Sequence, residues 1–180
     1  MPRPSADPAR PDSPAGWLVF AWAIGGTALV LVDAVVRLLP RALVLLEHPE
    51  PLPLLVATAW SAFMVYAEGW RGFHQRFNPR VVVRAARLPS RPWWSALLGP
   101  LVVMGLLDAT RRRLVASWLL VLGIVLLVVA VQLLPEPWRA VVDAGVVLGL
   151  SFGTVSLAVH TVRAVRGRAE PVDPEFAPRL

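Results

Sequence analysis

The stretch AEGWRGFHQRFNPRVVVRAARLPSRPWWSALLGPLVVMGLLDATRRR, residues 67–113, decides how this chain is threaded. Arginines recur from Arg71 to Arg91, a short apolar segment follows with Gly99-Pro100 at its middle, and Arg111-Arg112-Arg113 close the stretch. The apolar part, residues 93–107, would make only about 22 Å of helix, short of the ~30 Å hydrocarbon core of a bilayer. It therefore either crosses awkwardly or enters and returns at the Gly-Pro break.

Arginine placement separates the two threadings. If residues 93–107 cross and the N-terminus is cytoplasmic, nine arginines lie inside and eight outside, leaving Arg179 aside. If they enter and return, fourteen lie inside and only Arg37, Arg41 and Arg139 outside. Cytoplasmic loops carry the excess of basic residues, so the sequence favours the second arrangement. The reading is an all-α membrane protein with four transmembrane helices, a re-entrant Gly-Pro segment at 93–107 and an interfacial Arg-rich helix at 79–88. The spans are expected at 17–39, 52–70, 114–134 and 139–162, a single transmembrane domain over 17–168.

Composition supports this. The chain has 180 residues, 56% of them apolar, and a mean hydropathy of +0.60, more apolar surface than one soluble core absorbs. Residues 1–16 are rich in proline and charge and read as a disordered cytoplasmic tail; residues 169–180 read as a second one. No signal-peptide pattern precedes the first span. The absence of cysteine excludes disulfides and thiolate chemistry. All 18 cationic residues are arginine, so a lysine Schiff base and a lysine phosphate loop are excluded too. The basic balance is read as membrane topology rather than nucleic-acid binding.

Between the second span and the Gly-Pro segment, Asn78-Pro79 reads as a helix start, with asparagine as the cap and proline in the first turn. At 100° per residue Arg76, Arg80, Arg84, Arg87 and Arg91 fall on one narrow stripe. Insertion topology explains basic loops in general; the tight stripe adds a docking face for anionic lipid headgroups or an acidic partner. In the last span Gly145, Gly149 and Gly153 repeat every four residues, a pattern that lets helix backbones approach closely.

Asp33 and Asp143 are expected at similar depth near the outer surface, each four residues from an arginine, Arg37 and Arg139. Mutual ion pairing is the plain explanation; a proton or cation path is the sharper one. His160, with Ser156 one turn earlier, could ligate a flat macrocycle such as a pigment or haem, although the three histidines, His48, His74 and His160, lie in different parts of the sequence and no second axial ligand is evident. An ordinary interfacial histidine, with no cofactor, is the default. His74 has no evident nucleophile, and no hydrolase or metal motif occurs.

Three segments carry a resemblance: residues 67–73 with Phe77 and residues 79–82, then Asp108-Ala109-Thr110-Arg111-Arg112-Arg113, then residues 137–145. They resemble a type of small bacterial inner-membrane protein to which no activity is attached, so the resemblance implies location but no functional residue. The expectation is a non-enzymatic accessory, scaffold or assembly subunit, partnered by lipid and by other membrane subunits or itself, with both termini cytoplasmic. The alternative is a small oligomeric transporter or channel using the re-entrant segment and the intramembrane aspartates.

Overall fold

The computed structural model describes residue 11, residues 13–47 and residues 49–178. Most of the expected N-terminal tail, His48 and the last two residues, Arg179 among them, lie outside the described residues.

Four helical stretches are long and apolar enough to cross a membrane: Pro14–Glu47, Pro51–Ser90, Arg111–Gln132 and Trp138–Val165. The first, α1 (Pro14–Glu47), starts where the Ser13 hydroxyl accepts the Gly16 amide at 3.1 Å, an N-cap that satisfies one of the free donors of the first turn. It does not stop near residue 39. It runs through Pro40 to Glu47, and Leu45 on that extension packs with Ala57, Ala140 and Val141. Membrane helices tolerate an internal proline where neighbouring helices support the turn.

The second stretch departs most from expectation. α2 (Pro51–Met64) begins with proline in its first turn, as suits a position whose amide has no partner to lose. Beyond it the chain neither ends at Trp70 nor starts afresh at Asn78. Residues Val65–Phe77 wind as a π-helix and lead directly into α3 (Asn78–Arg87) and a short 3₁₀ turn, Leu88–Ser90. Asn78 is itself helical, with φ −63° and ψ −42°, and its side chain donates to the Gly153 carbonyl at 2.9 Å instead of capping its own helix. The expected interfacial helix is therefore the continuation of the second long helix. It does not present one open face: Val81, Val82, Val83, Ala85, Ala86 and Leu88 are buried along with Arg84.

Residues 91–110 form a hairpin of two short helices, α4 (Trp93–Leu97) and α5 (Gly99–Val103). Its ends meet, because Arg91 Nε donates to the Asp108 carboxylate at 2.8 Å. Its tip leans on α1: Trp22 donates to the Leu97 carbonyl at 3.1 Å, and the Pro100 ring fills the space where Gly26 has no side chain. Gly105, at φ +81°, reverses the chain in a conformation that favours glycine.

α6 (Arg111–Gln132) and α7 (Trp138–Val165) complete the structure. α7 is the axis, packed by α1, α2, the π-helix and α3. α6 stands apart, with 6% of its most apolar stretch buried against 50% for α7. The last described residues do not trail away as a free tail. The Thr110 amide donates to the Glu175 carbonyl at 2.9 Å, and Phe176 pairs with Ala109 across an isolated bridge.

Candidate functional site

Several polar side chains, Glu68, His74, Asn78, Ser156 and His160, meet along the seam between the second long helix and α7. Each glycine of the α7 stripe faces a large group on the opposing helix. Gly145 faces Trp60 and Met64, Gly149 faces Glu68, and Gly153 faces Phe73, where an added Cβ would come within 2.6 Å of the ring. The inward positions, Met64, Gly69, Phe73 and Asn78, recur every four to five residues rather than every three to four. That longer interval follows from the wider π-turn, a rare winding that clusters at functional sites. It keeps one face of the stretch from Met64 to Asn78 against α7 while the arginines Arg71 and Arg76 stay exposed.

Within the seam, His74 and His160 are neighbours, their ring centroids 4.8 Å apart. His74 Nδ1 shares a hydrogen bond of 2.9 Å with the Ser156 hydroxyl, and Trp70 stacks on its other face at 4.6 Å. His160 is buried, with Nδ1 3.7 Å from the Glu170 carboxylate and Nε2 without a hydrogen-bond partner among the described residues. Arg163 reaches the same carboxylate at 3.7 Å. The sequence-based view that the histidines sit in unrelated places is thus corrected for this pair, and His74 does have a hydroxyl beside it. Sequence spacing missed both because the 82 residues from His74 to Ser156 are bridged only by the parallel packing of the second long helix on α7.

The cluster's chemistry is limited by access. Ser156 is 4% exposed and His160 4%, so the Ser156–His74 pair has no approach for a substrate carbonyl. A macrocycle on His160 also lacks space: His74 and Glu170 occupy two sides of the ring. The adjoining cleft, lined by Pro79, Val82, Val83, Arg163 and Ala169 among others, is a shallow depression with about 0 Å³ of room for a water-sized sphere, far below the usual range for ligand pockets. Among the described residues no group of three or more His, Asp or Glu side chains is placed to hold a metal ion.

The arginine stripe divides into different roles. Arg84 is 2% exposed; its guanidinium donates to the carbonyls of Val102 at 2.9 and 2.7 Å, Leu107 at 3.2 Å, Asp108 at 3.0 Å, and Pro174. It ties the hairpin, the second long helix and the C-terminal segment together, using the planar fork of donors that lysine lacks. Arg91 is held by Asp108. Phe176 lies over both guanidinium groups, at 4.3 Å from Arg84 and 4.8 Å from Arg91. Arg80 and Arg113 each lie 4.0 Å from the Glu175 carboxylate. Arg76 is exposed and Arg87 half-buried. The expected docking stripe is therefore broken by an arginine that points into the protein.

The two aspartates are not equivalent. Asp33 bonds Arg37 at 2.7 Å, with both side chains well exposed, 60% and 76%. Asp143 is 5% exposed. Its Oδ2 and the Nε of Arg139 have no hydrogen-bond partner among the described residues, and Arg41 on α1 is a further cation acting on it. Since Leu45 packs level with Ala140 and Val141, Asp33 lies twelve residues further along α1, about 18 Å deeper than the start of α7. Similar depth was expected; the extension of α1 through Pro40 removes it. Glu68 lies inside the seam against Gly149, with Oε2 unpaired among the described residues.

No known family model matches this chain, and neither the curated proteins nor the solved structures contain a match.

Proposed function

We propose that this chain is a non-enzymatic subunit or scaffold of a larger membrane assembly, seated in a bacterial inner membrane with both termini on the cytoplasmic side. The observation that carries the reading is the exposed Asp33–Arg37 pair, about 18 Å (Asp33) and about 12 Å (Arg37) inside the level at which α7 begins. Ionisable groups at such depth face protein or a water-filled cavity rather than lipid. The sparsely packed α6 leaves further surface for a neighbour. In this placement the hairpin at 93–107 is a re-entrant segment entering from the cytoplasmic side, and α1 and α3 shield its broken backbone as such segments require.

The test is purification from native membranes in mild detergent, with Asp33→Asn and Arg37→Gln as comparisons. The expected result is a set of co-purifying membrane subunits that is lost from the two variants while the chain itself stays folded. Elution as a stable monomer without protein partners, in wild type and variants alike, overturns the proposal.

A second reading, a small oligomeric transporter or channel, is favoured by two carboxylate oxygens, Glu68 Oε2 and Asp143 Oδ2, buried without a hydrogen-bond partner among the described residues, together with the interrupted helices of the 93–107 hairpin. Flux into proteoliposomes that falls with Glu68→Gln or Asp143→Asn supports it. Flux indistinguishable from empty liposomes removes it.

A further inference from the structure

Once Arg84 and Arg91 are assigned to internal bonds, two arginines remain that converge on one point. Arg80, on α3, and Arg113, in the first turn of α6, approach the same Glu175 oxygen from different elements, each from 4.0 Å. That is an ion pair on both sides and a hydrogen bond on neither, since N–H···O bonds close at about 2.7–3.2 Å. The carboxylate therefore sits between two cations without satisfying either.

Its backbone is held there under strain. Glu175 has φ +50°, a left-handed conformation uncommon for a residue with a side chain. Asp173 accepts the Glu175 amide at 2.8 Å, and Thr110 donates to its carbonyl at 2.9 Å. A strained turn thus places one negative charge in a cationic gap at the surface.

The surroundings say what else fits the gap. Arg113 begins a helix whose next turns expose Val115, Trp118, Leu119 and Leu122, an apolar flank for acyl chains. Trp93, 80% exposed on the neighbouring hairpin, is the kind of aromatic side chain that settles at a headgroup layer. A phosphodiester carries one negative charge and two free oxygens, so it can give one oxygen to each guanidinium where the carboxylate gives one to both.

We propose that Arg80 and Arg113 form a binding site for the phosphate of an anionic phospholipid, and that Glu175 of the C-terminal segment is a built-in competitor occupying it. The lipid headgroup displaces the carboxylate, and the turn at Asp173–Glu175 relaxes. The subunit role argued above is not required for this exchange.

The test measures phosphatidylglycerol retained by the full chain in nanodiscs of phosphatidylcholine doped with that lipid, counted by native mass spectrometry. Glu175→Gln removes the competitor, and retention is expected to strengthen by roughly 5-fold, as for about one charge contact near a membrane surface. Glu170→Gln makes the same charge change on the same segment outside the gap and is expected to leave retention within about 2-fold. Arg80→Gln with Arg113→Gln is expected to lose the preference for phosphatidylglycerol, and Arg80→Lys with Arg113→Lys to keep part of it. Equal strengthening by Glu175→Gln and Glu170→Gln would show a general charge effect and overturn the proposal without relying on the arginine variants. Unchanged retention in a folded Arg80→Gln/Arg113→Gln protein overturns it as well. Inorganic phosphate bound as tightly in pure phosphatidylcholine nanodiscs gives the gap to a soluble anion and overturns the lipid assignment.

Discussion

α3 and α6 both set valine and alanine beside arginine, yet almost every side chain of α3 is buried and almost none of α6 is. α3 lies under α1, α5 and α7, with Arg84 anchoring carbonyls on three sides. α6 meets the rest of the molecule chiefly at its ends, where Trp118 donates to the Leu106 carbonyl at 3.2 Å and Val131 is buried near the turn into α7. The difference teaches that apolar content alone does not locate a core in this chain. In a bilayer an apolar side chain loses little by facing lipid, so packing is fixed by groups that lipid cannot satisfy: broken backbone, a guanidinium, a carboxylate.

The sharpest way to break that contrast is Arg84→Met. The substitution keeps much of the volume but leaves the carbonyls of Val102, Leu107, Asp108 and Pro174 without their donor. A loss of roughly 3–5 kcal/mol is expected, read as a lowered midpoint in detergent-unfolding titrations of the reconstituted protein. A loss below about 1 kcal/mol would mean that the hairpin holds itself and that α3 is no more dependent on polar anchoring than α6.

Next in size is Leu122→Arg, near the middle of α6 and 54% exposed. If α6 faces lipid across the bilayer, a central arginine is expected to cost about 2.5–3.5 kcal/mol of insertion free energy, measured as the fraction of chain inserted in a translation-coupled assay. Unchanged insertion would place α6 against water or a polar partner surface, and the contrast with α3 would then need another cause.

How much of this was legible in the sequence depends on what kind of regularity each feature has. α6 is an unbroken apolar run and its limits are readable to within a few residues. The hairpin was signalled by a segment too short to cross with Gly99-Pro100 at its middle. The continuous second helix was not, because Asn78-Pro79 has the chemistry of a helix start; only the wider π-turn, which no local residue pattern announces, carries the chain through it. Arg84 shares its stripe with arginines that remain accessible, and helical periodicity assigns a face without saying what covers it. His74 beside His160, and Phe176 over Arg84 and Arg91, are contacts between distant parts of the chain. The prolines and charges of the C-terminal segment read as a tail, whereas its one aromatic side chain and its carbonyls dock it.

A pair of glycines tests the same contrast at smaller scale. A methyl group at Gly145 meets the Trp60 indole, whereas one at Gly123, on α6, meets nothing within 4 Å. Gly145→Ala is expected to destabilise by about 1–3 kcal/mol through overpacking, and Gly123→Ala to stay within about 0.5 kcal/mol. Parallel unfolding curves for the two variants decide it. Equal effects would show that α6 has a packed neighbour in the protein as isolated, which would favour self-association over lipid as its cover.

The smallest expected effect lies in the seam. Ser156→Ala removes the hydroxyl that shares a 2.9 Å hydrogen bond with His74 Nδ1, while Trp70 continues to hold the ring in a stack. The stability change is therefore expected to be about 1 kcal/mol, the net value of one such bond. The more informative reading is spectroscopic. Nitrogen-15 shifts of the imidazoles report which ring nitrogen is hydrogen-bonded, and the change on substitution is expected at His74, with His160 following only as far as its neighbour's ring turns. A large response at both rings would mean that Ser156, His74, His160 and Glu170 behave as one coupled network, and the seam would then be a conducting element rather than a packing one. No response at either ring would remove the hydrogen bond from the argument and leave the π-turn explained by the Phe73–Gly153 contact alone.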